Sequence, residues 1–263
     1  TTKLLHSDGT DAESTQAAGL TAFSSDGFTV GDDDGVDGSG GTYVAWQWKA
    51  NGGTRTTNTE SGNDQAGGYQ ANTTGGFSIV DYVGTGAAGT MAHGLGAVPH
   101  MIIIKNRDET QNWCVYHHKN TAAPETDILD LGTSAATYDN VAYWNDTAPT
   151  SSVFTTNTSA DVNKNDINYI SYIWTEIQGY SKFGKYTAND SADGPFVYTG
   201  FKPAWLMIKS EAAISWYIMD NARSTSNPVI AAVNADNNAA EFTNQLIIDF
   251  LSNGFKIRND NSG

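Results

Sequence analysis

The residues whose type and spacing best suit them to chemistry are three aspartates in the stretch "GDDDGVDGSGG", Gly31 to Gly41. Asp32, Asp34 and Asp37 lie in a glycine-rich loop, and their carboxylates could serve calcium, a hard cation that takes roughly six to eight oxygen ligands. The loop lacks the spaced downstream Glu of an EF-hand. The comparable loops "NTSADVNKND" and "RNDNSG" keep the Asp and Asn turn chemistry without the triple acid, so a plain hairpin loop is the simpler expectation and calcium the alternative.

Five histidines raise the question of a second metal. His117 and His118 are adjacent, so on a strand they point to opposite faces and do not easily share an ion. His93 and His100 flank a Gly-Leu-Gly turn. No Cys or carboxylate accompanies them at ligand spacing, and no zinc site is expected. The lone cysteine, Cys114, sits between Trp113 and Val115 and reads as a small buried hydrophobe. A glycosidase needs two carboxylates facing each other across a cleft. No acidic pair recurs along this chain in that role, and neither a Gly-x-Ser-x-Gly elbow nor a phosphate-cradling loop is present. The chain is therefore expected to be non-enzymatic.

Aromatic residues are the other candidates for contact. Trp113 with Trp216, Trp48 with Trp174, and Tyr82 with Tyr186 recur at matching positions and are expected to fill a core. Trp46, Tyr69, Tyr138, Tyr143 and Trp144 have no aromatic counterpart. They are the candidate residues for anchoring a partner or stacking on a sugar ring.

The elements that must position these residues are strands. Short apolar or alternating runs bounded by Gly, Asn, Asp or Pro fill the chain, among them "TYVAWQW" (42–48), "GFSIVDYVG" (76–84), "HMIIIK", "WCVYHH", "YISYIW" (169–174), "AWLMIK", "SWYIMD", "NQLIIDFL" and "GFKIR". A helical turn is expected only within 234–245. At 263 residues the chain is long enough for one large all-β domain or two of ordinary size. With 14 basic against 29 acidic residues and a net charge of −15, no nucleic-acid partner is expected. No apolar run approaches the roughly 20 residues of a membrane helix, so no membrane insertion is expected.

The chain also repeats itself. "PHMIIIKNRDETQNW" (99–113) aligns with "PAWLMIKSEAAISW" (203–216) at an offset of 103 or 104 residues. Upstream, "GFTV…TYVAWQW" matches "VFTT…NYISYIW" at an offset of 126. The difference is absorbed by an insertion at 51–74, of loop composition. A third start, "NGFKIRNDNSG" (253–263), matches "DGFTVGDDDGVDGSG". The expected fold class is all-β, with two tandem antiparallel β-sandwich (jelly-roll) modules and an N-terminal strand arm. The boundaries are 1–74 for the arm with its partial repeat and loop insertion, 75–175 for the first module and 176–263 for the second. The equivalent of "TYVAWQW" is missing after residue 258, so the second module is expected to be completed by the N-terminal strand, by a neighbouring subunit, or by sequence outside this window.

The strings "HGLG…P…IIIK…W…YH" and "DGPFVYTGFKPAW…K…WY…D…R…N" resemble the tandem jelly-roll, laminin-G-like (concanavalin-A-like) modules of tailed-bacteriophage virion proteins, over most of residues 27–263. That resemblance implies a structural protein of a virion, of the tail-fibre, tail-tip or capsid-surface type. Its partners would be other copies of itself and other virion proteins, with host surface glycan as a further one. It supplies no catalytic residues. A lectin-like adhesin is the alternative.

Overall fold

The computed structural model describes residues 2–58 and 61–259. Residues 59 and 60 of the insertion, and residues 260–263 at the end of the third repeat start, lie outside the described residues. In chain order the strands are β1 (Lys3–Leu4), β2 (Ser14–Thr15), β3 (Leu20–Phe23), β4 (Phe28–Val30), β5 (Thr56–Asn58), β6 (Gly67–Asn72), β7 (Phe77–Val83), β8 (Gly89–Ala92), β9 (Met101–Asn106) and β10 (Trp113–His117). They continue with β11 (Asp127–Asp130), β12 (Tyr138–Asp139), β13 (Val153–Thr156), β14 (Asn168–Trp174), β15 (Phe196–Tyr198), β16 (Trp205–Ile208), β17 (Tyr217–Asp220), β18 (Val229–Asn234), β19 (Phe242–Leu251) and β20 (Gly254–Ile257). Two single helical turns, α1 (Asp34–Asp37) and α2 (Val141–Trp144), interrupt them.

The fold is all-β and antiparallel throughout, with a sandwich-like arrangement of large sheets. One sheet has eight strands in the order β12-β11-β10-β9-β14-β7-β6-β5, and another has six in the order β15-β20-β19-β18-β17-β16. The short ladders β8–β13, β1–β2 and β3–β4 stand apart.

Alternation along the strands produces three hydrophobic clusters. In β9, Ile102 and Ile104 face one way and join Tyr116, Ile128, Tyr82 and Tyr169 beneath β8, β13 and α2. Met101 and Ile103 face the other way. In β16, Leu206 and Ile208 pack with Met219, Ala232 and Phe255 on the outer face of the six-stranded sheet, while Trp205 and Met207 face inward. The middle cluster therefore lies between the two large sheets. It takes Met101, Ile103, Trp113, Val115, Leu129 and Leu131 from one, and Trp205, Met207, Trp216, Ile218, Val233 and Ala235 from the other.

These are six matched pairs at the repeat offset. The two copies pack back to back through equivalent faces, as subunits do across a self-complementary two-fold interface. Backbone bonding follows the same correspondence. Leu131 N–H donates to Trp113 O at 2.9 Å and Ala235 N–H to Trp216 O at 3.3 Å. His118 N–H donates to His100 O at 2.9 Å and Asn221 N–H to Ala204 O at 3.0 Å.

Four expectations need correction. The insertion at 51–74 is not loop alone: β5 and β6 lie within it and extend the eight-stranded sheet. Two of its glycines, Gly67 and Gly68, are strand glycines. A Cβ on Gly67 would come within 2.1 Å of Asp81 O and 2.7 Å of Tyr82 Cα, so only glycine lets β6 lie against β7 there. The segment 42–48 forms no strand. Its counterpart β14 is held between β9 and β7, whereas 180–186, the counterpart of β7, carries no strand to flank it.

Residues 234–245 hold no helix. They leave β18, turn, and enter β19, where Phe242, Leu246, Ile248 and Phe250 alternate onto the outer cluster. Finally, no N-terminal strand lies beside 254–258. β20 is paired by β19 on one side and β15 on the other, both from the second half. The sheet ends instead at β15 and β16, and at the start of β16 Trp48 packs edge-on to Trp205, with the ring centres 5.5 Å apart.

Candidate functional site

The structure does not bring the three aspartates of the glycine-rich loop together around a common point. The turn they occupy is α1, capped by Asp33, whose carboxylate accepts the N–H of Gly35 at 3.0 Å and the amide of Gln16 at 2.6 Å. Asp32, Asp34 and Asp37 are exposed. They belong to no group of three convergent ligands among the described residues. The acid run serves helix capping and turn formation, for which Asp is suited by its short acceptor side chain.

The five aromatic candidates do not form a binding surface. Trp144 and Tyr143 sit on α2 and are 2% and 6% exposed, in the core of the first repeat. Tyr69 and Tyr138 pack against the same core. Trp46 belongs to the middle cluster, with the Arg223 guanidinium 5.6 Å from its ring centre. Tyr69, Tyr138, Tyr143 and Trp144 lack counterparts because the first repeat has an extra layer to fill, whereas Trp46 has an aromatic counterpart after all, Tyr172, at the offset of 126 and in the same middle cluster.

Tyr138 and Tyr143 do enter a polar chain inside that core. The Tyr143 hydroxyl donates to Asp161 Oδ2 at 2.7 Å, and the Tyr138 hydroxyl donates to the Tyr143 oxygen at 3.1 Å, with Asp130 Oδ2 3.4 Å away. Asp130 is 5% exposed, and its Oδ1 has no hydrogen-bond partner. Burial, reinforced by the charge of Asp161, pushes its carboxyl up to about 6. Cys114, free and buried beside it in the β10–β11 pairing, has its thiol pushed well up by burial, which favours the protonated form. Both acids, Asp130 and Asp161, are buried within the core.

A different cluster brings titratable groups together at the surface. His100 immediately precedes β9, His118 follows β10, and Glu176 stands two residues past β14. These three strands are neighbours, and His100 N–H donates to Trp174 O at 2.8 Å while His118 N–H donates to His100 O at 2.9 Å. All three residues are half-buried, and one ligand atom from each lies within 4.8 Å of the others. The imidazoles meet edge to face at 4.4 Å. Burial holds both rings below the usual imidazole value, helped at His100 by the charge of His118 and at His118 by those of Lys119 and Lys182.

Burial alone would raise the Glu176 carboxyl, but the bonds from Lys182 and the Phe183 N–H, with the charges of His100 and Lys182, outweigh it and lower the group. The sequence pattern hid this cluster, because it depends on strand ends far apart in the chain. The one available hint was that His100 and His118 bracket a single hairpin, which returns them to the same row.

No curated protein and no solved structure matches this chain. A family model matches residues 1–263 in full. The chain with this duplicated, back-to-back β architecture belongs to the family described as a domain of unknown function, DUF7483.

Proposed function

We propose that the chain is a non-enzymatic structural module of a bacteriophage particle, of the tail-fibre, tail-tip or capsid-surface type, working in a symmetric assembly with copies of itself and other virion proteins. The observation that carries this reading is the matched-face packing of the two repeats. A duplicated unit whose back is self-complementary is already an assembly element, and stacking such units makes a stiff body without a new interface design. The net charge of −15 on a surface poor in basic residues favours solubility and discourages adventitious sticking. The sequence resemblance to phage jelly-roll modules points the same way. The burial of Asp130 and Asp161 supports a role in which carboxylates are not offered to a substrate.

The test is immunogold labelling of purified particles with an antibody to this chain, together with native mass spectrometry of the labelled assembly. Decoration at symmetry-related positions and a discrete oligomeric mass are expected. Particles that carry no label would sink the proposal. A glycan array probed with the isolated chain addresses the lectin-like alternative: saturable, sugar-specific binding would favour that reading over a scaffold.

A further inference from the structure

We propose that His100, His118 and Glu176 form a binding site for a divalent transition metal of the zinc class, at the end of the eight-stranded sheet where the chain crosses from the first repeat to the second. The donor set, two imidazoles and one carboxylate, is one that zinc accepts. It is unsuited to calcium or magnesium, which take mainly oxygen ligands.

The surroundings already orient His118 for a metal, whereas His100 and Glu176 each hold a bond that the metal must displace. His118 places Nε2 3.1 Å from Phe183 O, a contact that engages that nitrogen as donor and leaves Nδ1 as the ligand atom. His100 places Nδ1 3.1 Å from Thr175 Oγ1, and the Thr175 hydroxyl donates onward to Val98 O at 3.1 Å. With the Thr175 proton committed to that carbonyl, its oxygen can accept from Nδ1–H, which leaves Nε2 of His100 for the metal. The Glu176 N–H donates to the same Nδ1 at 3.1 Å and so favours the metal-free ring with its proton on Nε2; binding through Nε2 must break this bond and move the ring proton to Nδ1. Partners of this kind fix ring orientation and tautomer in metal sites generally. Glu176 is held by the Phe183 N–H on Oε1 at 3.0 Å and by Lys182 Nζ on Oε2 at 2.8 Å. Lys182 is thus a competing cation that the metal must displace or share.

The repeat supplies an independent argument. The positions equivalent to His100, His118 and Glu176 are Ala204, Asn221 and Ala50. The duplicated scaffold closes its hairpin in the second copy without any of the three donors. Their convergence in the first copy is therefore an addition to the fold and not a requirement of it. Because the Phe183 carbonyl and N–H support two of the donors, an ion here would tie the sheet end to the segment linking the repeats.

The test uses the full chain after EDTA treatment, titrated calorimetrically with zinc chloride, and with cobalt chloride followed by its visible absorption. One zinc per chain is expected. Glu176→Gln and His118→Ala should each abolish saturable uptake. Thr175→Val should weaken it roughly tenfold or more through the lost ring partner. Lys182→Met should tighten it, and His6→Ala, outside the cluster, should leave it unchanged. Thermal melting without metal reports whether each variant is folded, and the near-isosteric Glu176→Gln carries the test if His118→Ala is not. Absence of saturable uptake by the wild-type chain, or uptake undiminished in folded Glu176→Gln, overturns the proposal.

Discussion

The indole N–H of Trp216 donates to the backbone carbonyl of Asp130 at 2.8 Å, across the boundary between the two repeats. Its counterpart Trp113 does not return the bond. It donates to His6 O at 2.8 Å, in the N-terminal arm. Both indoles are buried in the middle cluster, yet one bonds the repeats together and the other pins the arm. The arm is held further by Glu13, which accepts from Arg107 Nε at 2.8 Å and Nη2 at 3.1 Å. Back-to-back packing is thus symmetric in its apolar contacts and asymmetric in its hydrogen bonds.

Replacing Trp216 by Phe keeps most of the apolar volume and leaves the Asp130 carbonyl without its donor. The expected cost is about 1–3 kcal/mol, the penalty for a buried acceptor left unpaired. Chemical denaturation followed by circular dichroism should show one shared transition moving to lower denaturant. Two well-separated transitions in the wild-type chain would contradict the view that the middle cluster couples the repeats.

Asp130 should make stability fall as pH rises. Its folded-state value of about 6 lies above the ordinary aspartate value of 3.8, so between the two the folded chain binds more protons than the unfolded one. The associated stability is fully present below about pH 4 and is lost as pH rises through about 6, with a span on the order of 3 kcal/mol. Asp130→Asn should remove this component, so its unfolding free energy should gain on the wild type from pH 4 to pH 7. Parallel pH profiles for the two chains would refute the assignment.

Trp48 stands edge-on to Trp205 at 5.5 Å and to Trp174 at 6.1 Å, at the start of the edge strand β16. Trp48→Ala should uncover that edge, and unpaired strand edges invite pairing with another chain. Light scattering after size exclusion should show concentration-dependent self-association beyond that of the wild type. A variant no more associated than the parent would show that β16 is protected by other means.

The strand content was legible in the residues because β7 and β14 alternate between the faces of the sheet, while β9, β10, β16 and β17 are short apolar runs of strand length with both faces covered. The duplication was legible for a related reason: pairs such as Met101 with Trp205 and Trp113 with Trp216 occupy equivalent sites and retain apolar character. What composition misreported was β6, where Gly67 and Gly68 read as loop but are required by close strand approach. Alternation also misled at 42–48, since a strand exists only where a neighbour supplies its ladder.

Amino-acid order alone settled which residues are apolar, which alternate and which recur, since these are properties of neighbours along the chain. Only the tertiary structure decided that the recurring faces meet each other, that Tyr143 and Trp144 turn inward, and that His100, His118 and Glu176 end in one row. Those outcomes depend on which strands lie side by side, and pairing energies between strands up to about a hundred residues apart leave no local signature in the sequence.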